Sequence, residues 1–212
     1  MLAASLRDQF GEIDIYLFDQ CLRGRFDGRR RVLDAGCGDG RNLEFLLRQG
    51  VECFGVDQDS RAIRRITARA AALAPTLSPD HFQVAELDRL PFADGAMDAV
   101  LASAVLHFAA DADHFGRMVT ELWRVLAPGG LLFARLASTI GIESATGPAG
   151  RRVRLPDGSD RFVVDEPMLL DWTARLGGAL LDPLKTTNVQ GMRCMTTWVV
   201  GKPAGPALQS RA

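Results

Sequence analysis

Residues 32–40 read Val-Leu-Asp-Ala-Gly-Cys-Gly-Asp-Gly, an apolar run that passes directly into three glycines, Gly36, Gly38 and Gly40. A buried strand has to end near Ala35, turn sharply through conformations that glycine reaches without steric cost, and hand over to a helical pattern. The same alternation recurs along the chain. Strand-like runs occupy 31–35, 51–56, 81–86, 97–102, 131–137, 179–187 and 192–200, and helical spacing occupies 41–49, 60–73, 112–126 and 166–175. Such alternation is the pattern of βα units laid down as a parallel sheet. The expected fold class is therefore α/β: a seven-stranded, mostly parallel sheet with helices on both faces. Its last two strands lack an intervening helix and should form a C-terminal antiparallel hairpin.

Local signals refine this outline. Asp59 or Ser60 and Asp111 are candidate helix N-caps, and Pro128-Gly129-Gly130 should stop the fourth helix. Residues 6–22 read as one amphipathic helix, so that 1–30 form an N-terminal helix or lid. The stretch 138–164 breaks the rhythm. It is rich in Gly and Pro early on, then carries Val153-Arg154-Leu155, a Pro-Asp-Gly turn at 156–158 and Phe162-Val163-Val164, which predicts an inserted hairpin near the active site. At 212 residues one domain spanning 1–202 is expected, with 203–212 a disordered tail.

Charge narrows the partners. With 25 basic and 26 acidic side chains the net charge is -1, which gives no broad basic surface for a phosphate backbone. A small molecule is the expected partner, nucleic acid is not, and the assembly is a monomer or homodimer. The acidic N-terminus lacks the pattern of a secretory signal and the longest apolar stretch, 96–110, is too short to span a bilayer, so no membrane association is expected and the localisation is cytoplasmic. Cys21, Cys37, Cys53 and Cys194 form no CxxC pair and have no histidine at ligand spacing, so reduced thiols and no metal are expected. Lys185 and Lys202 are the only lysines, a bias toward arginine that fits a GC-rich bacterium.

The glycine turn brings a ligand against bare backbone, and a helix start behind it would favour a carboxylate or phosphate. The next strand ends at Asp57, placed to accept hydrogen bonds from ribose hydroxyls. A dinucleotide fingerprint would need glycine at position 41, where this chain has Arg41, which argues against NAD. The string VLDAGCGDGRN resembles motif I of the class I S-adenosylmethionine-dependent methyltransferases, with Asp57 in their acidic ribose position. Three further segments are similar to that family: Glu86-Leu87-Asp88-Arg89-Leu90-Pro91-Phe92, the strand and loop at 97–108, and the stop at 122–130.

The resemblance implies a Rossmann-like sheet and S-adenosyl-L-methionine as cofactor, leaving as S-adenosyl-L-homocysteine. It places the methionine end over Gly36, Cys37 and Gly38, with Asp34 ordering the turn and Asn42 or Arg41 serving the carboxylate. Asp57 would take the ribose diol and Gln58 would edge the adenine. Glu86, where the family more usually has aspartate, would accept from the adenine amino group, and the Leu87 backbone N–H would serve its ring. Ala102 and Ser103 would close over the methionine amino group through their carbonyls. Cys37 reads as a small structural residue without thiol chemistry.

Methyl transfer from a sulfonium is an in-line displacement that chiefly requires the acceptor at near-attack geometry. His107, in the loop after the fourth strand, is the candidate general base, or else a packing residue at a helix start. Tyr16, Phe18 and Phe108 are candidate acceptor-pocket aromatics, or core. Arg135 and Arg193 could meet an anionic substrate or lie at a solvated edge, and Arg151, Arg152 and Arg154 make the one basic cluster. Methyl transfer to a small molecule is the leading reading. The alternatives are an RNA or protein methyltransferase docking through that cluster, an NAD-linked oxidoreductase, and a cofactor-binding protein without activity.

Overall fold

The computed structural model describes residues 5–143 and 151–205. Strands β1 (Arg31–Ala35), β2 (Glu52–Asp57), β3 (Phe82–Val84), β4 (Met97–Ser103) and β5 (Leu126–Ser138) lie parallel in the order β3-β2-β1-β4-β5. The chain reverses its direction of travel across the sheet between β1 and β4. That switch point opens a crevice beyond the carboxyl ends of the strands, where ligands of such sheets bind.

Helices cover both faces. On one side α2 (Ile15–Leu22), α3 (Glu44–Arg48) and α4 (Ser60–Leu73) bury Leu17, Leu46, Leu47, Ile63 and Ile66 against Val32, Leu101 and Phe133. On the other, α5 (Ala112–Val125) and α6 (Glu166–Arg175) bury Phe115, Met118, Leu122 and Leu169 against Leu33, Val100, Leu132 and Trp198. Neighbouring residues of one strand, Val32 and Leu33, thus serve opposite cores, as the period of two requires. Asp59 and Asp111 cap α4 and α5 by accepting from the backbone N–H groups of Arg61 at 2.8 Å and His114 at 2.7 Å.

Several boundaries differ from the sequence reading. The helix expected over 6–22 is two, α1 (Leu6–Phe10) and α2, because Gly11 sits at φ 63 and Asp14 starts a new cap. The helix expected from residue 41 begins at Glu44, so no helix N-terminus stands immediately behind the glycine turn. The strand expected over 179–187 divides into β8 (Ala179–Leu180) and β9 (Lys185–Val189), since Pro183 between them has no N–H for a ladder. The main sheet consequently has eight strands rather than seven, and β10 (Arg193–Gly201) runs antiparallel to β5, β8 and β9, forming the expected terminal hairpin with β9.

The inserted hairpin is present as β6 (Arg152–Arg154) and β7 (Asp160–Phe162), paired antiparallel around the turn at Pro156, Asp157 and Gly158. Its Leu155 packs with Ala137, Ile142, Val163 and Cys194 in a small separate core. The earlier part of the insertion, 144–150, and most of the expected tail, 206–212, lie outside the described residues. No helix among the described residues is long and apolar enough to cross a membrane, and none of their His, Cys, Asp and Glu side chains cluster as a metal site.

Candidate functional site

Two cavities open at the carboxyl ends of the strands and share a wall. The first, about 340 Å³, is bounded by Gly36, Asp57, Glu86, Leu87 and the α5 side chains His114 and Met118. The second, about 370 Å³, is bounded by His107, Arg135 and Arg161 among others. Ala104 and Phe108 belong to both linings. Ala104 is a non-glycine residue in the left-handed region at φ 60, and its N–H donates to the Arg135 carbonyl at 2.7 Å. Such strain persists only where the surroundings enforce it, and here it turns the chain out of β4 between the two cavities. A wider groove of about 810 Å³ lies on the flank of α5 and α6, where Arg117 pairs with Asp88 at 3.3 Å and Arg175 with Asp171 at 2.8 Å.

The glycine turn is fixed by its neighbours. A Cβ on Gly36 would stand 2.4 Å from Val105 Cγ2, and one on Gly40 would stand 1.9 Å from Ile66 Cδ1, so these two glycines admit protein packing. Gly38 differs: at φ +51 its missing Cβ faces nothing within 4 Å. Its N–H donates to Asp57 Oδ2 at 2.9 Å, while Asp57 Oδ1 accepts from the Asp59 N–H at 2.9 Å. Asp57 therefore ties the end of β2 to the turn after β1.

Beneath the turn Asp34 is fully buried, and neither carboxylate oxygen has a well-formed hydrogen bond among the described residues. Burial pushes its pKa up to about 7 and the Asp57 charge adds to the rise, while Arg41 and the nearby Asn42 amide pull the other way. A buried acid whose oxygens accept no well-formed hydrogen bond, beside an open glycine cradle and the carboxylates of Asp57 and Glu86, fits a ligand with a cationic end and a donor-rich body.

Cys37 is buried and packs toward Gly55, with burial holding its thiol far above the ordinary value and so protonated. Gln58 and the exposed Glu86 border the first cavity, as does Leu87. Ala102 and Ser103 are buried in β4, and the Ser103 hydroxyl donates to Asp14 Oδ2 at 3.2 Å.

Asp14 was legible only as an N-terminal acid, yet it organises this corner. Its buried carboxylate caps α2 at the Tyr16 N–H and receives Arg135 at 3.3 Å and Arg41 at 3.7 Å, while its own N–H donates to Asn42 Oδ1 at 3.1 Å. Arg41 and Asn42 thus tie α2 to the glycine turn. Tyr16 lies under the Arg135 guanidinium, 4.9 Å from ring centroid to Cζ, and its hydroxyl bonds that of Thr187. Of the three expected pocket aromatics only Phe108 lines a cavity: Phe18 packs against Phe10 and Phe45, with centroids at 4.7 and 6.0 Å, and Tyr16 is held beneath Arg135 outside both linings.

His107 occupies a single 3-10 turn, Leu106–Phe108, and is buried. Burial, then the charges of Arg161 and Arg135, lower its pKa from 6.5 to about 4. The imidazole is neutral at physiological pH, and its Nδ1 is buried without a partner among the described residues. Sequence reasoning passed over His114 and Arg161. His114 falls on the first turn of α5 and accepts from the Ala110 N–H at Nδ1, with Nε2 3.8 Å from Asp88. In the basic cluster Arg151 pairs with Asp165 at 3.2 Å and Arg154 with Asp160 at 2.8 Å, which neutralises much of it.

A family model described as a methyltransferase domain matches residues 33–134, which carry the glycine turn, Asp57, Glu86 and β4. The chain is 32% identical over 120 residues to a malonyl-[acyl-carrier protein] O-methyltransferase of Enterobacter lignolyticus, covering 55% of this chain and 44% of that protein. It is 31% identical over 173 residues to an uncharacterized methyltransferase of Mycobacterium sp. (strain JLS), covering 72% of this chain and 64% of that one. The match thus spans less than two thirds of the length of either relative. Among solved structures, a SAM-dependent methyltransferase from Methanosarcina mazei shares the fold with a TM-score of 0.69 at 21% identity, over 87% of this chain and 98% of that one. Over residues 33–134, just under half of its length, the chain is thus similar to the S-adenosylmethionine-dependent methyltransferases.

Proposed function

We propose that this chain transfers a methyl group from S-adenosyl-L-methionine to a small-molecule acceptor. The observation that carries the reading is the pair of cavities meeting at Ala104 and Phe108, one beside the glycine turn and one beside His107 and Arg135. Two adjoining sites of a few hundred cubic ångströms suit a cofactor and a small acceptor held end to end.

Gly36, Cys37 and Gly38 would admit the methionine end to the backbone, with the Asp34 carboxylate below and the Ala102 and Ser103 carbonyls beside its ammonium. Asn42 or Arg41 would serve its carboxylate. Asp57 would accept from the ribose hydroxyls, Gln58 would border the base, and Glu86 with the Leu87 N–H would meet the adenine edge. Bound there, the cofactor supplies an electrophilic methyl carbon on a sulfonium. The protein's task is then to hold the acceptor atom in line with it and to exclude water, and Phe108 and Arg135, the latter stacked on Tyr16, are the residues for that task. His107, neutral and buried, offers the acceptor its ring N–H and orients it.

Titration with S-adenosylhomocysteine tests this directly. The wild-type protein should bind it, and Gly38→Val should abolish binding with the fold retained, because the added side chain enters the space left for the ligand. Binding of NADH in place of S-adenosylhomocysteine, or unimpaired binding by Gly38→Val, would refute the assignment.

A further inference from the structure

The acceptor cavity carries an unbalanced charge. Its lining includes three guanidiniums, Arg135, Arg161 and Arg193, and one carboxylate, Asp157. Arg193 is satisfied, 3.6 Å from Asp157, which also accepts from the Ser159 N–H and hydroxyl. Arg135 shares the buried Asp14 with Arg41, and its Nε has no acceptor among the described residues. Arg161 has no carboxylate within 4.0 Å among the described residues. One of its nitrogens donates to the Asp160 carbonyl at 2.9 Å, and its guanidinium lies 4.9 Å above the Phe108 ring, at the wall between the cavities. A cation stacked on an aromatic face is held in orientation while its remaining donors stay free.

The rest of the lining is largely apolar and includes Ala137, Leu155, Val189 and Met195. If the reading above holds, a sulfonium adds another positive charge across the Phe108 wall. A neutral or cationic acceptor would leave these charges uncompensated in a partly desolvated space, whereas an anion offsets them. The planar fork of Arg161 matches the two oxygens of a carboxylate, and Asp157 in the same lining opposes a dianion.

We propose that the acceptor is a small carboxylic acid with an apolar body, bound as its carboxylate by Arg161 with Arg135 behind it. This rests on the methyltransferase reading for what happens next, but not for the binding itself. Arg161 selects the acceptor, and the apolar walls take its hydrocarbon part.

Calorimetric titration of octanoate, octanamide and octyl phosphate, each with and without saturating S-adenosylhomocysteine, separates the two claims. Octanoate should bind about tenfold or more tightly than octanamide, the worth of one charge-assisted pair. Arg161→Gln should remove that preference while leaving S-adenosylhomocysteine affinity and the melting temperature within error. Equal binding of acid and amide, a preference for octyl phosphate, or a preference that survives Arg161→Gln would overturn the proposal even when S-adenosylhomocysteine binds. A preference for octanoate that depends on Arg161, in a protein that never binds S-adenosylhomocysteine, would keep the acid site and remove the methyltransferase reading.

Discussion

The two cavities are built by different means. The first draws on the ends of β1 and β2, the loop after β3 and the first turn of α5, all between residues 36 and 118. Its floor is tied together through backbone, the Gly38 N–H donating to the Asp57 carboxylate that stitches two strand ends together. The second takes Ala137, Leu155, Arg161, Val189 and Arg193 from the end of β5, the inserted hairpin and the terminal hairpin. All five lie beyond residue 134, where the match to the family model ends. The family model therefore bears on the first cavity and leaves these five residues of the second unassigned.

The sharpest way to break this division is Asp57→Ala. The carboxylate holds the Gly38 amide and is the proposed partner of the ribose hydroxyls, so its loss removes charge-assisted bonds worth about 1.5–3 kcal/mol each. S-adenosylhomocysteine affinity should fall about a hundredfold, read by calorimetry, while octanoate binding in the second cavity changes little. Comparable losses in both cavities would show that they are one site, and an unchanged cofactor affinity would remove the ribose role.

The same division decides what could be read from the chain. The glycine turn and Asp57 are strand-end features with fixed offsets, so residues 32–57 announced both the turn and its acidic partner. That β1 to β5 lie parallel followed from alternation, whereas their order across the sheet is visible only in the structure. The break at Gly11 is silent in the pattern because apolar spacing continues across it, and the division of 179–187 turns on Pro183 alone, within an otherwise continuous run. Phe18 and Tyr16 are two residues apart on one helix and look equivalent in sequence. Only packing separates the first, against Phe10 and Phe45, from the second, beneath Arg135. Arg161 was invisible for a related reason: its meaning depends on Phe108, 53 positions away in the chain and 4.9 Å away in space.

A second measurement sharpens the electrostatic contrast between the cavities. Asp34 is held up to about 7 by burial, against 3.8 for the ordinary carboxyl, so the folded protein resists its ionisation. With the folded pKa raised, its contribution to stability is full below pH 3.8 and is lost as pH rises through 7. A ligand ammonium above it favours the ionised form, so S-adenosylhomocysteine binding should release a proton near pH 7. Affinity should then be about tenfold higher at pH 8 than at pH 6. Titrations in buffers of different ionisation enthalpy would count the proton. Affinity independent of pH across that range, with no proton released, would mean that Asp34 only orders the turn.

The smallest expected effect belongs to His107 and bears on the acceptor side alone. Burial and two neighbouring guanidiniums lower its pKa to about 4 from 6.5, the reverse of the shift at Asp34. The folded value is the depressed one, so its contribution to stability is complete above pH 6.5 and is lost as pH falls through 4. Its imidazole resonances should accordingly show no titration between pH 5.5 and pH 8, an interval set by that value. Arg161→Gln, which removes one of the two charges, should move the midpoint upward. A base this weak gains little from proton transfer near neutral pH, and an acceptor that arrives as a carboxylate has no proton to lose. His107→Gln, which keeps a hydrogen-bonding group in the cavity, should therefore lower turnover by less than about tenfold and leave S-adenosylhomocysteine affinity unchanged. General-base catalysis is commonly worth about 10²–10⁴-fold, so a loss of that size would be hard to mistake. If it occurs together with an imidazole that titrates near 6.5, the acceptor carries a proton that His107 removes. The charge argument for a carboxylate would then have to yield to a neutral hydroxyl or amine in the same cavity.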